Sequence, residues 1–423
     1  MQPTKQYKML HNFFLNNYLS SQKVFFIINA LYYFIQLTVF FYISSIALPK
    51  DIGASSYVIS IAGIFAVIAR YGMPVYLVES VEVNQDALIQ KFNENLSFSL
   101  TCSIILIPIS LLFIFSFDIS SEMRVLLVFG TPLMIILNPI SMILEQLFIL
   151  RRNINFLSIN GILKIFIFPI FAAVTYFITK SYAWAIVIAN ISILISSIIV
   201  CLKFDRLLFI QAIKLTKLNL FFQTLLRASS YFINSLALIL IFSLDKIFVA
   251  NIFSINTLGS YDLMWKLAIV ADFLLLQPLN ALYSRDIIEI SMTRVTYISS
   301  IISTVAVLLV ILINNIDLNF ILPAWNVLFD QYDFNQDILK ISICFFIIMF
   351  AVNQLRNIMA NRKLRITLAI SSLIIPLPLI IGFIFLEIDS LKTIPLLLIS
   401  GACLSLIFNY VTVINLRLKN ISA

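Results

Sequence analysis

Residues 183–202 read AWAIVIANISILISSIIVCL, twenty positions without an Asp, Glu, Lys or Arg. An α-helix rises about 1.5 Å per residue, so such a run covers the roughly 30 Å of a bilayer core. Its apolar residues occupy every face, where a helix on the surface of a soluble protein would carry a stripe. Residues 96–115, LSFSLTCSIILIPISLLFIF, repeat the pattern. Working outward, twelve runs of this kind begin near Val24, Tyr57, Leu96, Val125, Leu157, Ala183, Tyr231, Tyr261, Val295, Ile338, Ile366 and Thr393. They predict an all-α integral membrane protein with about twelve transmembrane helices.

Composition agrees. Of 423 residues, 61% are hydrophobic and 11% charged, against about 25% charged in soluble domains. Mean hydropathy is +1.04. Cys102, Cys201, Cys344 and Cys403 all lie inside the runs, without metal spacing, and read as small apolar residues. The first run lacks a small-residue cleavage site and reads as helix 1.

Lys and Arg gather in cytoplasmic loops. Placing both termini in the cytoplasm puts eighteen basic residues in inside loops and six outside, namely Lys50, Arg124, Lys180, Lys246, Lys340 and Lys392. The remaining four, Arg70, Lys164, Lys266 and Arg356, fall within the runs. The net charge of +8 then belongs to loops facing anionic lipid and implies no nucleic acid. The connection 203–230 alternates basic and apolar residues, as an amphipathic segment on the inner surface would.

That connection also stands near the centre of an internal repeat. Tyr57 and Tyr261 are offset by 204 residues, as are Pro74 and Pro278, and Gly53 and Gly259 precede the tyrosines in short outside loops. The basic turns Arg151–Arg152 and Arg362–Lys363 are offset by 211. The expected organisation is an N-terminal six-helix lobe (1–202), the linker (203–230) and a C-terminal six-helix lobe (231–423). Six helices per copy make the repeats parallel, a transporter arrangement with its path between the copies.

Leu48-Pro49-Lys50-Asp51-Ile52-Gly53 through Tyr57, followed by Arg70-Tyr71-Gly72-Met73-Pro74, resembles the helix 1–2 signature of polysaccharide flippases. Asp245-Lys246-Ile247-Phe248 through Gly259-Ser260-Tyr261, with Lys266-Leu267 and Pro278, resembles its second copy. These Wzx-type O-antigen flippases share a superfamily with lipid II flippases and MATE drug exporters. The resemblance implies a MATE-like fold of two pseudo-symmetric bundles in the bacterial inner membrane. It also implies translocation of an undecaprenyl-diphosphate-linked glycan from the cytoplasmic to the periplasmic leaflet. The absence of a phosphate-binding Gly-Lys-Ser/Thr loop leaves an ion gradient, of protons or sodium, or the substrate gradient as the expected energy source. The expected protein is a monomer among membrane lipids, beside polysaccharide polymerase machinery. Where the family commonly has an acidic or polar residue before the helix 2 glycine, Arg70 stands two residues before Gly72. Lipid II flippases usually carry two further helices, for which this chain has no room.

Charge at a helix centre costs roughly 2.5–3.5 kcal/mol on insertion scales, so intramembrane charges mark a wet cavity or a partner. Arg70, Lys164 and Lys266 are candidate cations for a diphosphate, Arg by bidentate contact and Lys as a point charge. The alternative is snorkelling, and for Lys266 a pair with Asp262 four residues away. Asp272 and Asp245 are candidates for ion coupling; Asp245 beside Lys246 reads equally as a loop-facing charge. Glu145 and Arg356, offset by 211, are a candidate cytoplasmic gate pair. Asn29, Gln36 and Asn234 line a polar cavity or join helices.

No Gly-Lys-Ser/Thr phosphate loop is present, and the single histidine, His11, precedes the first run. No cofactor or metal is implied. Two other readings remain open: a MATE-type exporter, which would favour an acidic cavity, and a membrane polymerase, which would need a larger outside loop or a catalytic domain.

Overall fold

The structure is a computed structural model and describes residues 28, 31–80, 85–116, 119–151, 154–204, 218–271, 292–361 and 364–421. These form α1 (Leu31–Ile46), α2 (Pro49–Arg70), α3 (Met73–Ser80), α4 (Gln85–Phe115), α5 (Ser121–Leu150), α6 (Ile154–Thr179) and α7 (Tyr182–Phe204). The second half holds α8 (Leu218–Ile252), α9 (Ile255–Ala271), α10 (Met292–Asn315), α11 (Leu322–Leu328), α12 (Gln336–Asn361), α13 (Arg365–Ile374), α14 (Leu377–Phe385) and α15 (Thr393–Ile421). No strand occurs among the described residues.

Among the described residues, eight helical stretches are long and apolar enough to cross a membrane, and two bent pairs raise the total to as many as ten. The bends are 62° between α10 and the segment ending in α11, and 41° between α13 and α14. The other two expected runs correspond to α1 and α9, each bordering residues outside the description. The chain is a multi-pass membrane protein. Side chains such as Leu112, Phe177 and Ile178 stand exposed at the outer faces of the helices, where lipid supplies the apolar surroundings.

Pro49 starts α2, where its missing N–H loses no hydrogen bond. Lys50, Asp51 and Gly53 therefore stand in the first turns of a helix and not in a loop. Gly259 likewise lies inside α9. The continuous α2–α3 crossing breaks at Tyr71 (φ 51°) and Gly72 (φ 70°), both left-handed. Only glycine adopts that conformation without strain. A Cβ on Gly72 would also strike the Tyr231 backbone on α8.

In the first half α2 packs on α4, α5 and α7, and α6 on α7; in the second, α9 packs on α8 and α12, and α12 on α10 and α15. The halves meet where α2 lies against α8 and α9. A Cβ on Gly53 would land on the Ile255 carbonyl, and one on Gly259 on the Pro49 carbonyl. Gly53 and Gly259 are 206 residues apart, and so are Pro49 and Ile255, so the contact is reciprocal, as a two-fold between repeats requires.

The linker expectation falls partly outside the description. Residues 218–230 continue into the 35-residue helix α8, while 205–217 are not described.

Candidate functional site

α8 and α9 carry a buried charge cluster. α8 runs to Ile252, so Asp245 and Lys246 lie within it and not in an outer loop. Asp262, fully buried on α9, holds Lys246 Nζ on one carboxylate oxygen and Lys266 Nζ on the other, each at 2.8 Å. The Asp262–Lys266 pair is the i,i+4 neighbour expected on one helix face. Lys246 enters from the facing helix. Lys266 stands eleven residues into α9, or about 16 Å along its axis. That is deeper than the outer position its run suggests. Its ammonium also lies 3.4 Å from the centre of the Phe40 ring on α1, a cation–π contact.

Asp245 is fully buried beside this cluster. The Tyr261 hydroxyl donates to its Oδ2 at 2.8 Å, and its Oδ1 has no hydrogen-bond partner among the described residues. Asp272 and Asn29 lie outside the described residues.

Lys246 and Lys266 border a cavity of about 280 Å³ between the two halves. α1 contributes Gln36 and Phe40, α2 Ser56, and α7 Asn190. This cavity thus joins Gln36 and Lys266 from the sequence candidates and adds Lys246. The charge bias places Lys246 in an outside loop, whereas α8 runs on through it to Ile252; the apolar Ile247, Phe248 and Val249 are the sequence signal for that continuation.

Lys164 is elsewhere. Glu145 on α5 accepts through one oxygen from Lys164 and, at 3.1 Å, from Asn160 Nδ2 on α6. The same oxygen accepts from Ser197 Oγ on α7 at 2.9 Å. Three first-half helices are tied at one carboxylate. Arg356 on α12 occupies the matching position, also five residues before its helix ends. Its guanidinium donates to Asn234 Oδ1 on α8 and to Asn353 Oδ1 at 3.4 Å. Ser372 Oγ on α13 donates to the same Asn234 oxygen at 2.6 Å. Glu145 and Arg356 thus hold separate clusters, one in each half, and do not pair with each other here.

Arg70 is the last residue of α2, with its Nε buried and without an acceptor among the described residues. It stands about 31 Å from Pro49 by helix rise, toward the far part of the Pro49–Leu77 span and away from the cavity that Lys246 and Lys266 border.

At the end of the molecule around Pro49, hydrogen bonds tie the segment after α11 to α9 and to Ala47, just beyond α1. Tyr332, beyond α11, donates its hydroxyl to the Ala47 carbonyl at 2.9 Å. The Asp333 N–H donates to Ser260 Oγ at 3.2 Å, and Trp325 Nε1 to the Tyr332 carbonyl at 2.9 Å.

Residues 21–285, more than half of the chain, match the family model of the polysaccharide biosynthesis proteins. The chain belongs to this family. No curated protein matches it significantly. Among solved structures, an inward-facing multidrug resistance MATE family transporter of the MOP superfamily is similar at TM-score 0.61. It is 13% identical, covering 93% of this chain and 95% of that one. The lipid II flippase MurJ, in an inward closed conformation, reaches TM-score 0.55 at 14% identity, covering 93% and 87%. An outward-facing MATE structure reaches 0.53 at 13% identity, covering 95% and 97%. This polysaccharide biosynthesis family member therefore has a MATE-like fold, with its charge cluster where the two halves meet.

Proposed function

We propose that this protein is a flippase for an undecaprenyl-diphosphate-linked oligosaccharide. It moves the head group between leaflets by alternating access of the two halves. The observation that carries this reading is the cavity between the halves, bordered by two lysines that share one carboxylate. Lys246, Lys266 and Asp262 together carry one formal positive charge. A diphosphate entering the cavity would gain two ammonium contacts, while Gln36 and Asn190 offer hydrogen bonds to sugar hydroxyls. The prenyl tail stays in lipid. Family membership and the fold shared with a lipid II flippase support the same cargo class.

Alternating access needs the pathway to close on one side at a time. The glycine contacts and Tyr332 supply closure at the Pro49 end, which we assign to the periplasm. Both termini are then cytoplasmic and the membrane is the bacterial inner membrane. Arg70, at the opposite end of α2, would meet the head group on entry. Asp245, buried with one free oxygen, is the coupling candidate for a proton or sodium ion. Glu145 and Arg356 would approach only in an outward-opened state.

The second reading is a MATE-type exporter of small molecules, favoured by the similarity to the inward-facing MATE structure. Proteoliposomes separate the two. A flippase exposes a lipid-linked oligosaccharide to an impermeant lectin or glycosidase, and Lys246→Gln with Lys266→Gln abolishes this. Export of cationic dyes without exposure of the lipid-linked glycan would overturn the flippase reading.

A further inference from the structure

A second cavity, of about 390 Å³, opens at the Pro49 end between α2, α5, α7, α8 and α9. Its polar lining differs in kind from that of the first. Asp51 and Glu122 supply two carboxylates, Lys50 one ammonium, and Ser120, Tyr57 and Asn251 neutral donors and acceptors. Asp51 lies close enough to feel the charges of Glu122 and Lys50. No ion pair within 4 Å involves either carboxylate among the described residues. The Tyr57 hydroxyl points to Asn251 Oδ1 at 3.5 Å across the boundary between the halves, on an otherwise buried side chain.

Two unpaired carboxylates repel a phosphate. A sugar ring suits this lining better. Carboxylates and an amide oxygen accept from neighbouring hydroxyls, Lys50 and Ser120 donate back, and the apolar walls from α5 and α7 meet the C–H faces of the ring. A volume of this size falls in the range of small-ligand sites. The two cavities are also neighbours. Ser56 borders the first and Tyr57 the second, and on α8 Lys246 and Asn251 are five residues apart, about 7.5 Å along the axis. A head group with its anion beside Lys246 can place its sugars beyond Tyr57.

We propose that this second cavity is a glycan subsite that takes uncharged or amine-bearing sugars and rejects acidic ones. The assignment rests on the flippase reading and adds the charge class of the cargo.

The test uses the full-length protein in lipid nanodiscs with four soluble probes: diacetylchitobiose, the glucosamine dimer, digalacturonate and inorganic pyrophosphate. Calorimetry should find both amino-sugar dimers bound at least tenfold more tightly than digalacturonate. Asp51→Asn combined with Glu122→Gln should weaken the glucosamine dimer at least tenfold and leave pyrophosphate binding as it was. Lys246→Gln with Lys266→Gln should do the reverse. Thermal melting checks that each variant is folded, and Glu122→Gln alone serves if the double variant is not. Equal binding of digalacturonate, or a glucosamine affinity insensitive to both carboxylates, overturns the proposal. Pyrophosphate binding that ignores both lysines would instead remove the diphosphate reading, while the sugar data still judge the subsite.

Discussion

Gly53 and Gly259 make the same contact in exchange: each lets its helix backbone touch the first turn of the helix that carries the other. Small residues allow this approach between membrane helices, where close packing replaces the hydrophobic drive available in water. Because each Cβ would meet a carbonyl and not a flexible side chain, neither site can relax cheaply. Gly53→Ala and Gly259→Ala should each destabilise the protein by about 1–3 kcal/mol, the usual penalty of overpacking. Their melting temperatures in detergent should fall by similar amounts. A large loss at one site and none at the other would contradict the reciprocal contact.

Asp262 is the only carboxylate among the described residues that holds two lysines. Removing one partner of a buried ion pair costs about 3–5 kcal/mol because a charge is left uncompensated. Asp262→Asn should therefore lower stability more than Lys246→Gln or Lys266→Gln, each of which leaves one pair intact. Chemical denaturation of the three variants in mixed micelles checks the order.

Glu145 separates two pairings. A charge swap of Glu145 with Lys164 should recover more stability and transport than a swap with Arg356, because Lys164 already shares its oxygen with Asn160 and Ser197. Comparing Glu145→Lys with Lys164→Glu, singly and together, against the Arg356 pair decides the matter. Greater rescue by the Arg356 swap would favour a gate formed in another state.

Tyr332 ties the connection between α11 and α12 to Ala47, just beyond α1. Burial pushes its phenol above the usual tyrosine range, so it remains a donor at neutral pH. Stability from the buried neutral form is full below the unfolded value of about 10 and declines only above it. Tyr332→Phe should cost about 1 kcal/mol, a typical net hydrogen bond. It should also speed labelling of an Asn251→Cys variant by an impermeant maleimide. Unchanged labelling would mean that this bond does not hold the end closed.

The bilayer made much of the fold legible. A run such as 183–202 has one stable answer in lipid, a helix with all its backbone hydrogen bonds satisfied internally. The Asp262–Lys266 pair could be read because both residues share a helix at i,i+4. Lys246 could not be placed so directly, since its partner comes from α9 and helix ends are weakly marked where apolar residues continue. The Glu145–Lys164 pair joins two helices in one half, a contact that no spacing within a single run encodes. Repeat symmetry matched Glu145 with Arg356 as equivalent positions, and equivalence by rotation is not proximity. The second cavity was hidden because Lys50 and Asp51 were read as loop, whereas Pro49 begins the helix ahead of them.

The glycine exchange has a consequence for ancestry. A surface that offers both a glycine and the carbonyl it meets is complementary to itself, as in an isologous two-fold dimer. A single six-helix unit bearing that surface could have met its own twin in this way before the two copies became one chain.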